Sequence, residues 1–234
     1  MDAPGMDVMS ALALALGAAW ASGINLYLAT LMIGGLGMTG MVDLPPDLEV
    51  LATPPVLATA AGLYALEFFA DKIPGIDSLN DALHTFIRIP AGALLAMGSV
   101  SGIAEPWQAA AALVLGGAVT ASAHAAKTGS RALINTSPEP FSNWFASIFE
   151  DVIVIIGLLL ALFNPLIFLI WMAVFVLLMI WLLPKLIRGL RAIWQRLQGM
   201  RSGTAQGTSL SATFRGPPAD PAQNDHGGPP QTGS

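Results

Sequence analysis

The stretch PLIFLIWMAVFVLLMIWLL, residues Pro165–Leu183, decides the fold class because it contains no charged residue. About 20 apolar residues in a helix cross the core of a bilayer, so this stretch is long enough to span a membrane. A second apolar run, Val152–Phe163, lies before it, and Asn164-Pro165 predicts a tight turn between the two. The chain has 234 residues, of which 54% are hydrophobic and 11% charged. These features predict an integral membrane protein.

Apolar runs separated by turn signals predict an all-α, polytopic transmembrane helix bundle of about six spans with short polar or re-entrant segments. In chain order the predicted spans are Val8–Met38, Pro55–Asp71, Ala91–Ala104, Trp107–Ala126, Trp144–Phe163 and Pro165–Pro184. The first is long for a single crossing, and Ser22-Gly23 is expected to interrupt it. Asp77–Arg88 is expected to form a short helix that Pro90 ends, either re-entrant or lying on the surface.

A faint internal repeat relates the first and fourth spans. The segment GAAWAS at residues 17–22 recurs as GAVTAS at residues 117–122. An offset of three spans is the pattern of two halves with inverted topology, which many transporters have. The sequence is therefore compatible with a 3+3 inverted repeat, although matches between small residues arise easily in a chain rich in Ala and Gly.

The basic residues predict the orientation in the membrane. All ten Lys and Arg residues follow the second, fourth or sixth predicted span, whereas the other loops carry only acidic residues, namely Asp43, Asp47, Glu49 and Glu105. Lys and Arg concentrate in cytoplasmic loops. Six spans would therefore place all three basic regions, and both termini, in the cytoplasm.

The chain after the sixth span has two expected parts. Residues 1–184 form the predicted transmembrane domain. Residues 185–200, KLIRGLRAIWQRLQGM, place basic residues on one helical arc and apolar residues on the opposite arc, which predicts an interfacial helix against anionic lipid. Residues 201–234 are rich in Gly, Pro, Ser, Thr and Gln, and predict a disordered cytoplasmic tail.

Polar residues recur at helical spacing near the predicted spans. Spacings of three or four residues keep side chains on one face of a helix. The polar stripes comprise Glu67 and Asp71; Asp77, Asp81, His84 and Arg88; His124, Lys127, Arg131 and Asn135; and Asn143, Glu150 and Asp151. Ser22 and Asn25 are expected to interrupt the first span at mid-depth. In a six-span arrangement most of these groups converge in the cytoplasmic half of the membrane, which predicts one shared polar site.

Each stripe also has a purely structural interpretation. The stripe from Asp77 to Arg88 is also the pattern of a solvated helix face, and Lys127 and Arg131 are placed as snorkelling basic residues would be. The pair Glu150-Asp151 is harder to explain in this way, because an apolar run follows it directly and ionisable groups are costly at that depth. We expect Lys127 or Arg131 to be its partner.

Three segments carry a resemblance to a known family. They are SGINLYL (22–28), EFFADKIPGIDSLNDALHTFIRIPAGA (67–93) and KTGSRALINTSPEPFSNWFASIFED (127–151). They resemble the signature segments of a bacterial integral membrane family that is catalogued as domain of unknown function 4126. The resemblance extends over roughly Val8–Leu183. It implies a multi-pass protein of the bacterial inner membrane, and it brings no substrate and no catalytic residues.

Three functions are compatible with these residues. The favoured one is a small transporter or channel for an ion or small polar solute, in which carboxylates bind a cation or relay protons and Lys127 and Arg131 neutralise them. The second is a membrane enzyme that acts on a lipid phosphate headgroup, with carboxylates holding Mg²⁺ and Arg88 among the residues that clamp the phosphate. The third is a structural or accessory protein whose ion pairs only join its helices.

Composition limits the cofactors and partners. There is no cysteine, which excludes disulfides and Cys-ligated metals. No catalytic residue and no metal site is indicated, so the sequence favours a protein without a cofactor that is not an enzyme, and Mg²⁺ belongs only to the enzyme alternative. The expected partners are the lipid bilayer and an unidentified ion or solute. Nucleic-acid binding is not expected, and a homo-oligomer is compatible with the sequence.

Overall fold

The computed structural model describes residues 7–70, 76–134 and 140–205; its side chains are described for residues 7–70, 84–132, 134, 141–182, 184, 185 and 188. The elements are α1 (Val8–Met38), a 3₁₀ helix (Pro46–Ala52), α2 (Pro54–Ala70), α3 (Ile76–Ser99), α4 (Pro106–Ile134), α5 (Pro140–Phe163) and α6 (Pro165–Ala205). No strand occurs within these ranges.

The ends of several helices follow from single residues. Proline fixes φ near its helical value and lacks an N–H that the first turn does not need. The helices that begin at a proline are α2, α4, α5 and α6. Asp7 caps α1, because its side chain accepts a hydrogen bond from the Ser10 N–H at 2.8 Å.

The predicted fold class is confirmed. Within the described ranges, four helical segments are long and apolar enough to cross a membrane: Val8–Met38, Pro106–Ala132, Phe141–Phe163 and Pro165–Leu182. The 3₁₀ helix and α2 meet at 66° and together make a fifth candidate span. The remaining helix, α3, corresponds to the short third span. The structure is therefore an all-α membrane bundle with which about six spans are consistent.

Two prolines that were expected to end helices lie inside them. Helix α3 runs through Pro90, so the predicted short helix 77–88 and the start of the third span form one helix. Helix α6 runs through Pro184, so the predicted interfacial helix 185–200 continues the helix of the sixth span. Membrane helices tolerate proline because neighbouring groups can satisfy the freed backbone carbonyl. The described backbone is helical to Ala205, and the rest of the predicted tail, 206–234, lies outside the described residues.

The chain divides into two compact units, Met1–Ile187 and Arg188–Ser234. The first contains the bundle, and α1 is its central helix, in contact with α2, α3, α4, α5 and the 3₁₀ helix. Nearly every residue of α1 from Ala11 to Ala29 is buried. A helix that is apolar around its whole circumference buries every face, and α1 does so at the centre of the bundle.

Aromatic packing connects α1 with α6. The ring centroid of Trp20 on α1 lies 4.7 Å from that of Trp171 and 6.3 Å from that of Phe175, both in edge-to-face geometry. The Trp20 ring also packs on Gly157 of α5, where an added Cβ would lie 2.9 Å from the ring atom Cη2. The bulk of Trp20 is therefore accommodated by a glycine on the facing helix.

Helices α1 and α4 cross closely at the two segments of the internal repeat. The Thr120 hydroxyl of GAVTAS donates to the Ala19 carbonyl of GAAWAS at 2.8 Å. Gly23, directly after the first segment, leaves no room for a side chain, because an added Cβ would lie 2.7 Å from the Ala123 Cβ. The repeated small residues thus form the crossing itself, while the inverted repeat stays a prediction.

Candidate functional site

The central helix is broken at Asn25. This residue has φ −146° and ψ 96°, far from helical values. Its side-chain oxygen accepts a hydrogen bond from the Leu28 N–H at 3.0 Å, which is how a residue caps the start of a helix. In an unbroken helix the Leu28 N–H would bond to the Ile24 carbonyl instead. The break divides α1 into two half-helices, each with a polar end inside the bundle.

Of the residues that were expected to interrupt α1, Asn25 lies at the break, whereas Ser22-Gly23 does not. Ser22 remains helical, and its hydroxyl donates to the Ala18 carbonyl at 2.6 Å within the same helix. A serine can satisfy its own hydroxyl in this way without breaking the helix. Asn25 can both accept from the backbone and donate to another helix, so the break occurs there.

Lys127 of α4 is the hydrogen-bond donor to the freed backbone carbonyl of the first half-helix. Its ammonium donates to the Ile24 carbonyl at 3.0 Å. The same nitrogen lies 3.3 Å from Glu67 Oε1 and 3.6 Å from Glu150 Oε2. Lys127 is buried. The carboxyl end of a helix carries partial negative charge, so this ammonium is surrounded by negative and partially negative oxygens from three other helices.

Asp151 of α5 lies on the other side of the break. Its Oδ1 accepts from Asn25 Nδ2 at 3.0 Å, and its Oδ2 accepts from the Tyr64 hydroxyl of α2 at 2.8 Å. The carboxylate is thus held close to the amino end of the second half-helix, which carries partial positive charge. The basic side chain of Lys127 therefore contacts the carboxyl end of the first half-helix. The acidic side chain of Asp151 is hydrogen-bonded to Asn25, which caps the second half-helix.

Glu67 of α2 is a buried carboxylate between two cations. Its Oε1 accepts from Arg88 Nη2 of α3 and pairs with Lys127. Glu67 is 2% exposed, and its Oε2 has no hydrogen-bond partner within the described residues. A buried carboxylate oxygen without a donor is costly, so Oε2 is a position at which a further hydrogen-bond donor would be stabilising.

Arg131 and Glu150 form a two-point ion pair between α4 and α5. Arg131 Nε donates to Glu150 Oε1 at 2.9 Å, and Nη2 donates to Oε2 at 2.8 Å. Arg131 Nη1 also donates to the Asn143 backbone carbonyl at 3.2 Å. Bidentate pairs of this kind fix geometry as well as charge, and this one holds α4 against α5 beside the break.

His124 adjoins the ion pairs from α4. Its Nε2 lies 2.6 Å from the Thr85 hydroxyl, and its Nδ1 lies 3.4 Å from Arg88 Nη1. The ring of His84 instead packs edge-on against Tyr27 of α1, at 5.7 Å between ring centroids. The two histidines therefore extend the polar region towards α3 on either side of Arg88.

We define the charge network as Glu67, Arg88, Lys127, Arg131, Glu150 and Asp151. It contains three acidic and three basic side chains, so its formal charges balance. The ion pairs and hydrogen bonds above connect it to the broken helix α1 and join α2, α3, α4 and α5. Taking charges out of water costs several kcal/mol for each ion unless partners compensate. Here Glu67 and Glu150 have basic partners, and Asp151 has two uncharged hydrogen-bond donors.

The structure brings most of the predicted site residues together. Those at the break or in contact with the charge network are Asn25, Glu67, Arg88, His124, Lys127, Arg131, Asn143, Glu150 and Asp151. Ser22 is buried within α1 and His84 packs on Tyr27. The side chains of Asp77 and Asp81 and the whole of Asp71 and Asn135 lie outside the described residues.

Sequence reasoning gave too little weight to the uncharged members of the site. The Tyr64 hydroxyl donates to Asp151, and the Thr85 hydroxyl is hydrogen-bonded to His124. The Ile24 carbonyl accepts a hydrogen bond from Lys127. Tyr64 lies three residues before Glu67, which places both on one face of α2, so spacing alone indicated it. No sequence signal identifies the Ile24 carbonyl, because it becomes available only where the helix breaks.

The described residues give no ligand set for Mg²⁺. No group of three or more His, Asp or Glu side chains among them could hold a metal ion. The three carboxylates of the charge network do not converge on one point, because Arg88, Lys127, Arg131 or the Asn25 amide lies against each of them. Hard cations such as Mg²⁺ need converging oxygen ligands.

Comparison with known proteins identifies a family and nothing closer. The family model described as "Domain of unknown function (DUF4126)" matches residues 12–185, which cover α1 to the sixth predicted span. No curated protein and no solved structure matches the chain. The matched range contains the broken helix and the whole charge network.

Proposed function

We propose that this chain, which belongs to the DUF4126 family of unknown function, is a small transporter or channel for an ion or small polar solute. The observation that carries the proposal is the break of the central helix at Asn25 in contact with a buried charge network. We further propose that it lies in a bacterial inner membrane with six spans and with both termini in the cytoplasm.

Broken helices support transport for a physical reason. Irregular backbone is tolerated at membrane depth only where it is buried in protein or lines a polar cavity. In many transporters the ends of half-helices provide the dipoles and carbonyls that bind the solute or its coupling ion. Here the Ile24 carbonyl and the Leu28 N–H mark such ends, and Lys127 and the side chain of Asn25 engage them in this state of the molecule.

The charge network suits a protein that responds to ions. The acidic and basic side chains of the network balance in charge. Binding one proton or one cation therefore leaves at least one ion pair with an uncompensated positive charge. Each pair joins different helices, so a change of charge also changes which helices are held together. We assign Glu67 the role of the proton or cation acceptor, because its Oε2 lacks a donor, and Arg131 the role of a fixed anchor for Glu150.

The two alternatives have less support. An enzyme acting on lipid phosphate needs a metal or phosphate site, and the three carboxylates are held by separate partners, either cations or the Asn25 amide, instead of converging. A purely structural role accounts for the balanced charges, but it gives no reason for a broken helix at the centre of the bundle. It makes a distinct prediction about Arg131 and Glu150, given below.

Accessibility at Asn25 tests for a pathway. The chain has no cysteine, so Asn25→Cys introduces one thiol, and a small membrane-impermeant thiol reagent is applied from either side of sealed vesicles. A transporter that alternates between two openings exposes this position to both sides. Ala18→Cys, about two helical turns earlier in α1 at a position that is 0% exposed, is the control and should not react. Reaction of Asn25→Cys from one side only, or from neither, contradicts the proposal.

Flux measurements test the acceptor. We expect proteoliposomes that enclose a pH-sensitive dye to show flux under a gradient of protons, Na⁺, K⁺ or chloride. Glu67→Gln should lower that flux at least tenfold, because the neutral amide cannot exchange a proton or pair with a bound cation. Glu49→Gln, which changes an exposed acid outside the network, should leave it unchanged. Equal flux in the two variants removes Glu67 from the pathway.

A double-mutant cycle tests the structural alternative. Removing one partner of a buried ion pair costs about 3–5 kcal/mol, whereas removing both costs much less. Arg131→Gln and Glu150→Gln should each lower the midpoint of thermal unfolding, and the double variant should recover most of the loss. A double variant that is as stable as the wild type and also keeps full flux would mean that the pair serves only packing.

A further inference from the structure

A large apolar cavity begins at Leu26 and Tyr27, directly after the break in α1, and the residues described as lining it include no member of the charge network. It has a volume of about 530 Å³ and is formed by α1, the 3₁₀ helix, α2 and α3. This volume lies in the usual range for ligand pockets. Leu63 of α2 and Leu94 of α3 line it and are 37% and 55% exposed. The cavity is therefore open at the surface of the bundle, which in a membrane span is the surface that faces lipid.

The walls of the cavity offer almost no polar atoms to a solute. The two threonine hydroxyls that line it are engaged within their own helices, Thr30 with the Leu26 carbonyl at 2.9 Å and Thr59 with the Pro55 carbonyl at 2.8 Å. Among the described lining residues Asp47 alone is charged, and it is exposed at the start of the 3₁₀ helix. The cavity thus has an apolar body and a carboxylate at one end.

The surroundings of Asp47 are acidic. The turn between α3 and α4 packs against the 3₁₀ helix, since the Asp47 N–H donates to the Ser101 hydroxyl at 3.1 Å. The segments that meet at this end carry Asp43, Asp47, Glu49 and Glu105, and residues 1–71 and 89–126 contain no Lys or Arg. An anionic group at the mouth of the cavity would be repelled, and an ammonium group would be attracted.

We propose that this cavity is a binding site for a phospholipid with an amine headgroup, with one acyl chain in the cavity and the headgroup ammonium at Asp47. An apolar cavity stays dry, and the bilayer supplies acyl chains at its opening. The charge at the mouth selects the headgroup. The site uses none of the charge-network residues to which the transport role is assigned, so lipid binding can be tested independently of that function.

The test measures retained lipid. The full-length protein is reconstituted with equal amounts of phosphatidylethanolamine and phosphatidylglycerol, extracted in mild detergent and analysed by native mass spectrometry. We expect one phosphatidylethanolamine to be retained about fivefold more often than phosphatidylglycerol, since an exposed ion pair contributes at most about 1 kcal/mol. Equal retention of the two lipids, or no retained lipid, overturns the proposal.

Variants locate the lipid in the cavity. Leu63→Trp fills part of the cavity from an exposed position and should abolish retention. Leu66→Trp, on the same helix but outside the lining, is the matched control and should retain the lipid. Asp47→Lys should reverse the preference in favour of phosphatidylglycerol. Retention in Leu63→Trp equal to that in Leu66→Trp, or an unchanged preference in Asp47→Lys, contradicts the assignment. Because the measurement records bound lipid, a failure of the transport proposal does not affect it.

Discussion

At the scale of single residues, Lys127 is a buried cation in direct contact with the broken end of α1. Its ammonium meets a backbone carbonyl of α1, a carboxylate of α2 and a carboxylate of α5, while its own backbone belongs to α4. One buried cation therefore joins four helices at the break. Without it, Glu67 would keep Arg88 and Glu150 would keep Arg131, but the Ile24 carbonyl would lose its donor and the network would hold three acids against two bases.

Replacement of Lys127 is accordingly expected to be severe. We predict that Lys127→Met destabilises the protein by about 3–5 kcal/mol, the cost of an uncompensated buried charge. Adding Glu67→Gln restores the charge balance and should recover part of the loss. The measurement is the midpoint of thermal unfolding in detergent. Lys185→Met, at an exposed position over the Trp181 ring, is the control and should shift it only slightly. A Lys127→Met protein that unfolds at the wild-type temperature contradicts this account.

Helical spacing predicted which ionisable residues would share a site, but it predicted only some of the pairs. Lys127 and Arg131 were expected as partners of Glu150-Asp151, and both do pair with Glu150. Asp151 is instead bound by two uncharged donors, Asn25 and Tyr64. Spacing shows which residues share a face of one helix. Pairing between helices depends on the rotation and depth of each helix, and spacing along the sequence does not determine either.

At the scale of elements, the crossing of α1 and α4 determines where the break lies relative to Lys127. Gly23 allows the two backbones to approach, because an added Cβ would lie 3.0 Å from the His124 backbone nitrogen and 2.7 Å from the Ala123 Cβ. Close approach through small residues is the usual way in which membrane helices pack. Lys127 lies one helical turn beyond His124, so the crossing places its ammonium next to the Ile24 carbonyl.

A pair of glycine substitutions separates packing from helix propensity. We predict that Gly23→Ala destabilises the protein by about 1–3 kcal/mol, the usual cost of overpacking, because backbone atoms of α4 cannot move away easily. Gly62→Ala places the same methyl group on α2, where nothing lies within 4 Å, and should be neutral or stabilising by up to about 1 kcal/mol. Thermal unfolding of the two variants side by side is the measurement. Equal effects would show that the crossing tolerates a side chain.

The elements were predictable to different degrees. Long apolar runs located α1, α5 and the first part of α6, because hydrophobic length is a direct requirement of the bilayer. Proline was misleading, since α3 and α6 continue through Pro90 and Pro184. In water a proline ends a helix at a high cost, but inside a bundle the freed carbonyl finds other partners. An interruption at Asn25 was expected, but its hydrogen bond to Asp151 joins residues that are far apart in sequence and could not be predicted from local pattern.

At the scale of the whole molecule, the two ends of the bundle differ in charge. The end formed by the 3₁₀ helix and the turn between α3 and α4 carries only acids, and the hydrogen bond from the Asp47 N–H to Ser101 holds these segments together. Gly98 also packs directly on Leu48 of the 3₁₀ helix. The 3₁₀ helix before α2 and the turn after α3 therefore lie at the same end of the bundle, so in the proposed topology α2 and α3 cross the membrane as a pair.

The proposed topology follows from this pairing and can be tested with single cysteines at Glu49, Glu105, Asn164 and Gln198. We predict that the first three react with an impermeant thiol reagent only from outside the cell and that Gln198 reacts only from the cytoplasm. Glu49 and Glu105 react from the same side only if α2 and α3 both cross or neither does. Glu105 and Asn164 likewise react from the same side only if α4 and α5 both cross or neither does. Comparison of Gln198 with Asn164 shows whether α6 crosses.

Each wrong outcome identifies a different error in the topology. If Glu105 reacts from the side opposite to Glu49, only one of α2 and α3 crosses, and the contact between Asp47 and Ser101 cannot exist in the membrane. If Gln198 reacts from outside, α6 does not cross and its basic residues lie on the side that the positive-inside rule disfavours. If each of the four positions reacts from the side opposite to the predicted one, the bundle is intact but inverted in the membrane. The acidic end of the apolar cavity, at Asp47, then faces the cytoplasm.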